Sequence, residues 1–329
     1  MRQLVAEKAY NPFVWDGCLA ILLLGLLSGA TFLRLEDPRR ALGLALSYTL
    51  LGIAPPLVLS VLEHLTTPAG PRKSRKRWLL HLQIMFANYA AEIPFGIFAT
   101  YLAAVMVKLL HLNLGLIDLR LAADGRMMLC TAVGVFIGSL FIGDFFFYWY
   151  HRALHRSRIL WQHHKMHHLD PEFDALTGPR QNWLEAFFTV FFISVPIAIL
   201  FKLDRLDPLE LGFLNGSIVG LLNSIVFINH SNLRLQFGKA SVLFVSSQTH
   251  RIHHSYQPQH IDRNFAAFFP IWDILFGTYY HPARDEFPLT GVTGEKEIES
   301  FWESQLFPLR EWWKMYRHRG QASHGPHRQ

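Results

Sequence analysis

The sequence predicts an all-α, multi-pass membrane bundle of about four to six spans, with a cytoplasmic helical cap carrying a histidine dimetal site. Three observations predict it. Of 329 residues, 51% are hydrophobic and only 17% are charged, whereas soluble domains carry about a quarter charged residues. Several apolar runs reach the roughly 17–25 residues a helix needs to cross hydrocarbon. The 18 histidines are also uneven, eleven of them falling between His151 and His260. This balance excludes disorder, collagen and coiled coil. The two cysteines, Cys18 and Cys130, lie inside apolar runs and leave no material for a disulfide scaffold or a cysteine zinc site.

Along the chain, Cys18 to Leu33 and Ala41 to Leu62 contain no charge and read as the first two spans. Met1 to Ala30 is read as a retained span and not a cleaved signal, because further apolar helices follow. A third span covers Ile84 to Leu110, interrupted by Glu92 and Lys108. The fourth runs from Met127 to Gly143 and continues through Asp144 into an aromatic stretch. Ala186 to Phe201 and Leu211 to Asn229 form a hairpin across Lys202 to Glu210, either as two more spans or as a re-entrant pair. Three regions are expected: 1–126 as an N-terminal transmembrane region, 127–285 as the catalytic region, and 286–329 as a cytoplasmic extension with a flexible basic tail.

Lysine and arginine set the orientation. The run Pro71 to Arg77 is strongly basic without an acid, which places it in the cytoplasm. Alternation then puts Leu112 to Arg126 outside, Tyr150 to Glu185 inside, and everything after His230 inside. Arg34 to Arg40 falls outside although it is slightly basic. The net charge of +6 thus follows from topology, and nothing points to a nucleic-acid partner. The basic loop suits anionic lipid head groups.

Histidines 64, 81 and 111 stand alone and read as helix-end or interfacial residues. His318, His324 and His327 sit in the tail without a role. The informative set begins with HRALH, where His151 and His155 are four apart and share one helix face. Asp144 and Tyr148 lie on the same stripe. The carboxylate of Asp144 is expected to accept the second ring N–H of a ligating histidine, because an acid within a span needs a partner. HHKMHH follows, offering His164, His167 and His168 on one face, with His163 ambiguous. HRIHH repeats the spacing with His250, His253 and His254, and His230 closes the last apolar segment. One such motif is a weak signal; three in succession beside spans are a strong one.

Nine imidazoles exceed one tetrahedral zinc and suit two metals with four or five ligands each. Imidazole accepts Fe, Zn, Cu or Ni, so ligand type does not choose. No Glu-x-x-His supplies bridging carboxylates, and no HExxH marks a zinc protease. An all-histidine dimetal site beside a membrane suits O2 activation against a lipid C–H bond. A membrane zinc hydrolase, a metal transporter and an inactive scaffold are the other readings.

At DFFFYWYHRALH, LWQHHKMHH, INHSNLRL, THRIHHS and NFAAFFPIWDILFGTYY, the sequence resembles the fatty acid hydroxylase/sterol desaturase superfamily of membrane di-iron oxygenases. The resemblance covers about Gly143 to Pro282. It implies two irons at the nine histidines (zinc can replace iron on purification), O2 as oxidant, and a tunnel admitting a sterol, fatty-acyl or related lipid from the bilayer. Electrons would come from a separate donor, whether cytochrome b5-like, ferredoxin or reductase, since no such domain is fused. Asn264, Trp272 and Asp273 match the closing signature, read as support for the third histidine group. Where many relatives have His-Pro before an acid, this chain has Asn182-Trp183-Leu184-Glu185. Phe145, Phe146, Phe147 and Tyr150 are candidates for the substrate path or for an interfacial aromatic belt. Substrate identity, and hydroxylation against desaturation, stay open.

Overall fold

The computed structural model describes residues 55–63, 65, 74–117, 129–202, 226–233 and 235–317. The expected span at Cys18 to Leu33, most of Ala41 to Leu62 and most of Leu211 to Asn229 lie outside these residues. The described chain is helical and has no strand, only the isolated bridges Ile117 with Phe201 and Ser255 with Thr290.

Helix α1 (Arg75–Leu109) begins in the basic run, where the Ser74 side chain accepts from the Arg77 N–H. It ends at Lys108, a cation at the negative end of the helix dipole. Helix α2 (Leu129–Arg156) carries the aromatic run and ends in HRALH. Ser157 takes an extended conformation and its hydroxyl caps α3 (Arg158–His168) by accepting from Leu160 N–H. Helix α4 (Trp183–Leu200) starts where the Asn182 side chain accepts from the Leu184 and Glu185 N–H groups. A capping box of Ser246 and Thr249 starts α5 (Ser247–His253). Two more helices follow, α6 (Ile271–Leu275) and α7 (Phe301–Arg317).

Helices α1 and α4 make the most extensive pairing, with Ala103 and Val107 packed on Val195 and Ala198. Small residues on both sides let the two backbones approach. Helix α2 lies against α4 and α3. The segment after α5 joins this core through Ala267 and Phe268, which pack on Ile193, Ile197, Leu200 and Phe201. The C-terminal half of α3 is thereby buried, and its Lys165 ties down α7 through Glu311 at 3.0 Å and the segment before it through Glu295 at 2.8 Å. Among the described residues one helix, α4, is long and apolar enough to cross a membrane by length and composition.

Replacing Lys165 by alanine removes one of the cations on Glu311, which keeps Lys314 at 2.6 Å and Arg310 at 3.4 Å, so thermal unfolding in detergent should show a loss of about 1.5 kcal/mol. An unchanged melting temperature would mean that α7 is held by its apolar contacts alone.

Candidate metal centre

The nine histidines singled out by spacing are all buried. They form two groups: His151, His155, His164, His168 and His253, and His167, His230, His250 and His254. Within each group one ligating nitrogen per ring lies within 4.8 Å of all the others. Helical periodicity explains the partition. On α3, His164 and His168 are one turn apart and face the first group, while His167 is turned toward the second. On α5 and its cap residue, His250 and His254 form the one-turn pair and His253 points to the first group. Both short helices therefore serve both groups.

Hydrogen bonds on the outer ring nitrogens fix the tautomers. His151 Nδ1 donates to the Phe265 carbonyl at 2.7 Å, His164 Nδ1 to Glu185 Oε1 at 2.5 Å, His230 Nδ1 to the Val226 carbonyl at 2.8 Å, and His253 Nδ1 to the Arg263 carbonyl at 2.8 Å. Each of these neutral rings then turns a lone pair inward. His151 Nε2 and His164 Nε2 lie 3.1 Å apart with no proton left to share between them. His253 Nε2 and both nitrogens of His254 are buried without a hydrogen-bond partner. A cation resolves these contacts. With metal–nitrogen bonds of about 2.1 Å, ligands at right angles sit about 3.0 Å apart. The Nε2 separations of 3.0 Å for His164–His168 and His167–His230, and 2.9 Å for His230–His250, match that edge. The residues fit a metal at each group.

Burial pushes the His151 ring down to about 4 and holds His155, His164, His167, His168, His250, His253 and His254 well below the usual histidine range. Neighbouring imidazoles add to this for most of them, and the Arg180 guanidinium does so for His167. Arg180 is itself buried, 3.8 Å from Asp170 and 4.0 Å from Glu297. Neutral rings are the ligating form.

Asp144 does not meet a histidine as the sequence reading expected. Its carboxylate accepts from the backbone N–H groups of Ala267, Phe268 and Phe269 at 2.8 to 3.2 Å. Asp273 accepts from the N–H groups of Phe265 and Ala266 and from the Thr278 hydroxyl. Asn264 holds a left-handed φ of 57°, a conformation asparagine tolerates, while its side chain ties Thr249 to Tyr280. Residues 263–269 are thus pinned from both sides, and they present the two carbonyls that orient His151 and His253. Asp144 acts one step further out than expected. Tyr148 likewise turns away from the ligands, its hydroxyl accepting from Arg152 at 2.8 Å and pairing with Thr278 at 3.0 Å.

Glu185 is the residue that spacing missed. It lies 21 positions from His164, and its sequence signals were an acid at the start of a helix otherwise free of charge and its place where the family resemblance has an acid after His-Pro. The Asn182-Trp183-Leu184-Glu185 segment supplies this carboxylate and the cap that aims it; Asn182 Nδ2 also donates to the His163 carbonyl. His163 joins neither group, stacking on Phe188 instead. His260 is bound between Ser255 and Glu286. His81, expected at a helix end, is buried within α1, with Nδ1 3.9 Å from Asp170. With Asp174 it forms a third cluster that can hold an ion. There Asp170 already accepts from the Thr177 hydroxyl and Asp174 caps the turn at Ala175–Thr177.

A small cavity of about 40 Å³ lies against both histidine groups, with His151, His164, His167, His230 and His250 in its lining. Of the four aromatic candidates, Phe147 and Tyr150 line it. Phe145 packs instead on Trp272 and Phe276, and Phe146 on the α1–α4 core.

Residues 136–278 match the sequence model of the fatty acid hydroxylase family. Alkylglycerol monooxygenases of Danio rerio and Homo sapiens are each 32% identical to this chain, over 49% and 47% of it. An ornithine lipid hydroxylase of Rhizobium tropici is 26% identical over 48%. These matches span 34%, 32% and 45% of the relatives' own lengths, so the chain spans well under two thirds of each. No solved structure matches the chain.

Removing the Asp144 carboxylate frees the three N–H groups that hold residues 267–269. Asp144→Ala should weaken metal binding by about 10- to 100-fold at the five-histidine group, which contains His151 and His253, and spare the four-histidine group. Metal titration of the variant measures this; equal weakening at both groups would show that the pinned segment is not what orients His151.

Proposed function

We propose that this chain, whose residues 136–278 match the fatty acid hydroxylase family model, is a membrane oxidoreductase that hydroxylates a lipid C–H bond with O2. The observation that carries the reading is the pair of histidine groups with outer N–H groups bonded outward and inner lone pairs turned together. Iron at both groups, one ion in each, supplies the activation of O2 that an unreactive C–H bond requires. Neutral histidines without bridging carboxylates are an iron-compatible donor set. The electron pair comes from a separate donor, and two protons from solvent complete the reduction of the second oxygen atom to water.

The chain's own contribution is positioning and exclusion of water. Phe147, Leu154, Val226 and Ala267 give the cavity apolar walls beside the histidines, which suits an apolar group there and limits water beside the oxidant. A wide apolar surface supports membrane residence. On α1 and the segment after it, the large apolar or aromatic residues Phe98, Tyr101, Leu109, Leu114 and Leu116 are exposed by 54% to 73%. Helix α4 is then one of several spans, and the histidine groups sit at their cytoplasmic ends. The relatives' names, alkylglycerol monooxygenase and ornithine lipid hydroxylase, favour hydroxylation of a polar lipid over hydrolysis or metal transport.

The test is paired loss. His151→Ala, His167→Ala and His253→Ala should each lower bound iron and abolish O2-dependent lipid product together, whereas His163→Ala and His260→Ala should keep both metals. Iron retained in full by any of the first three variants would remove that residue from the site.

A further inference from the structure

The cavity between the histidine groups contains one group that a hydrocarbon cannot satisfy. Glu185 lines it and is 1% exposed. One of its oxygens, Oε1, is taken by His164 Nδ1 at 2.5 Å. The other, Oε2, is buried and has no hydrogen-bond partner. A carboxylate oxygen withdrawn from water without a donor is strongly unfavourable. Among the described residues none of the polar side chains lining the cavity, Gln181 and Thr189 included, donates to it. Asn229 donates to the Ala267 carbonyl, and the Tyr150 hydroxyl lies 3.4 Å from His163.

We propose that Glu185 binds the substrate, its Oε2 accepting a hydrogen bond from a hydroxyl or amide N–H that the lipid carries next to the carbon to be oxidised. The inference rests on the oxygenase reading and narrows its substrate class. Glu185 holds His164, and His164 and His151 line the same cavity, so a donor anchored at Oε2 sits beside the ligating nitrogens. A plain acyl chain offers no feature to fix which carbon stops at that point. A hydroxyl or N–H fixes the register through one buried hydrogen bond. Lipids with only acceptors near the reacting carbon, such as aldehydes, ketones and ethers without a free hydroxyl, leave Oε2 unpaired and are selected against.

A matched pair of ligands tests this on the full-length, metal-loaded protein in lipid nanodiscs, with 1-dodecanol and 1-methoxydodecane titrated by calorimetry. The alcohol should bind at least about tenfold more tightly than its methyl ether. In Glu185→Gln the amide oxygen keeps the His164 contact and the NH2 group turns to the cavity, so the preference should reverse toward the ether. Equal affinity for the two ligands in the unmodified protein overturns the proposal whatever the variant does. An alcohol preference that survives Glu185→Gln overturns the assignment to Glu185. The oxygenase reading is judged separately, on iron content and O2-dependent product, neither of which enters the affinity ratio.

Discussion

Everything in this structure answers to the burial of nine imidazoles in one volume. Each ring has two polar nitrogens, and burial makes protonation unfavourable, so each nitrogen must find a donor, an acceptor or a metal. Where an outer nitrogen donates to a carbonyl or carboxylate, as in His151, His164, His230 and His253, the inner one is left as a bare lone pair. Inner nitrogens about 3 Å apart are then a repulsive arrangement unless cations sit among them. The protein part of the site fits a metal at each histidine group.

The surrounding polar residues serve that constraint at a distance. Asp144 and Asp273 bond to backbone, and the backbone bonds to histidine. This explains why carboxylates within two apolar helices, α2 and α6, are tolerated: each accepts from N–H groups whose positions matter to the site. The three short interruptions at Ser157, Asn182 and Ser246 act similarly. Each is a side-chain cap that starts a helix at the phase needed to aim its histidines or Glu185 inward. Gly178 completes the set, since a Cβ there would meet Phe227 at 3.0 Å and His230 Nδ1 at 3.3 Å.

The gathering of these histidines was legible because helical periodicity leaves a trace: His151/His155 and the two HxxHH groups announce a shared face by spacing alone. The partition into five and four was not, because it depends on how α3 and α5 are rotated against each other, which no local pattern encodes. Glu185 was passed over for the same reason, its partner being 21 residues away. Asp144 was correctly singled out as an acid needing partners, but spacing could not show that three backbone N–H groups from more than 120 residues later would provide them. His81 shows the limit of reading isolation in sequence as isolation in space, for Asp170 and Asp174 come to it from the far end of α3. The helical character of the chain was readable from composition, and among the described helices α4 bears the spanning length that the apolar runs suggested.

The central claim, that two metals are held on nine histidines for O2 chemistry, is tested most directly by metal analysis and Mössbauer spectroscopy on protein purified from iron-replete, oxygen-poor cultures. Four or five imidazoles per ion predict about two irons per chain, with a signal from two magnetically coupled sites. A single zinc that iron does not displace, or no tightly bound metal at all, would contradict it.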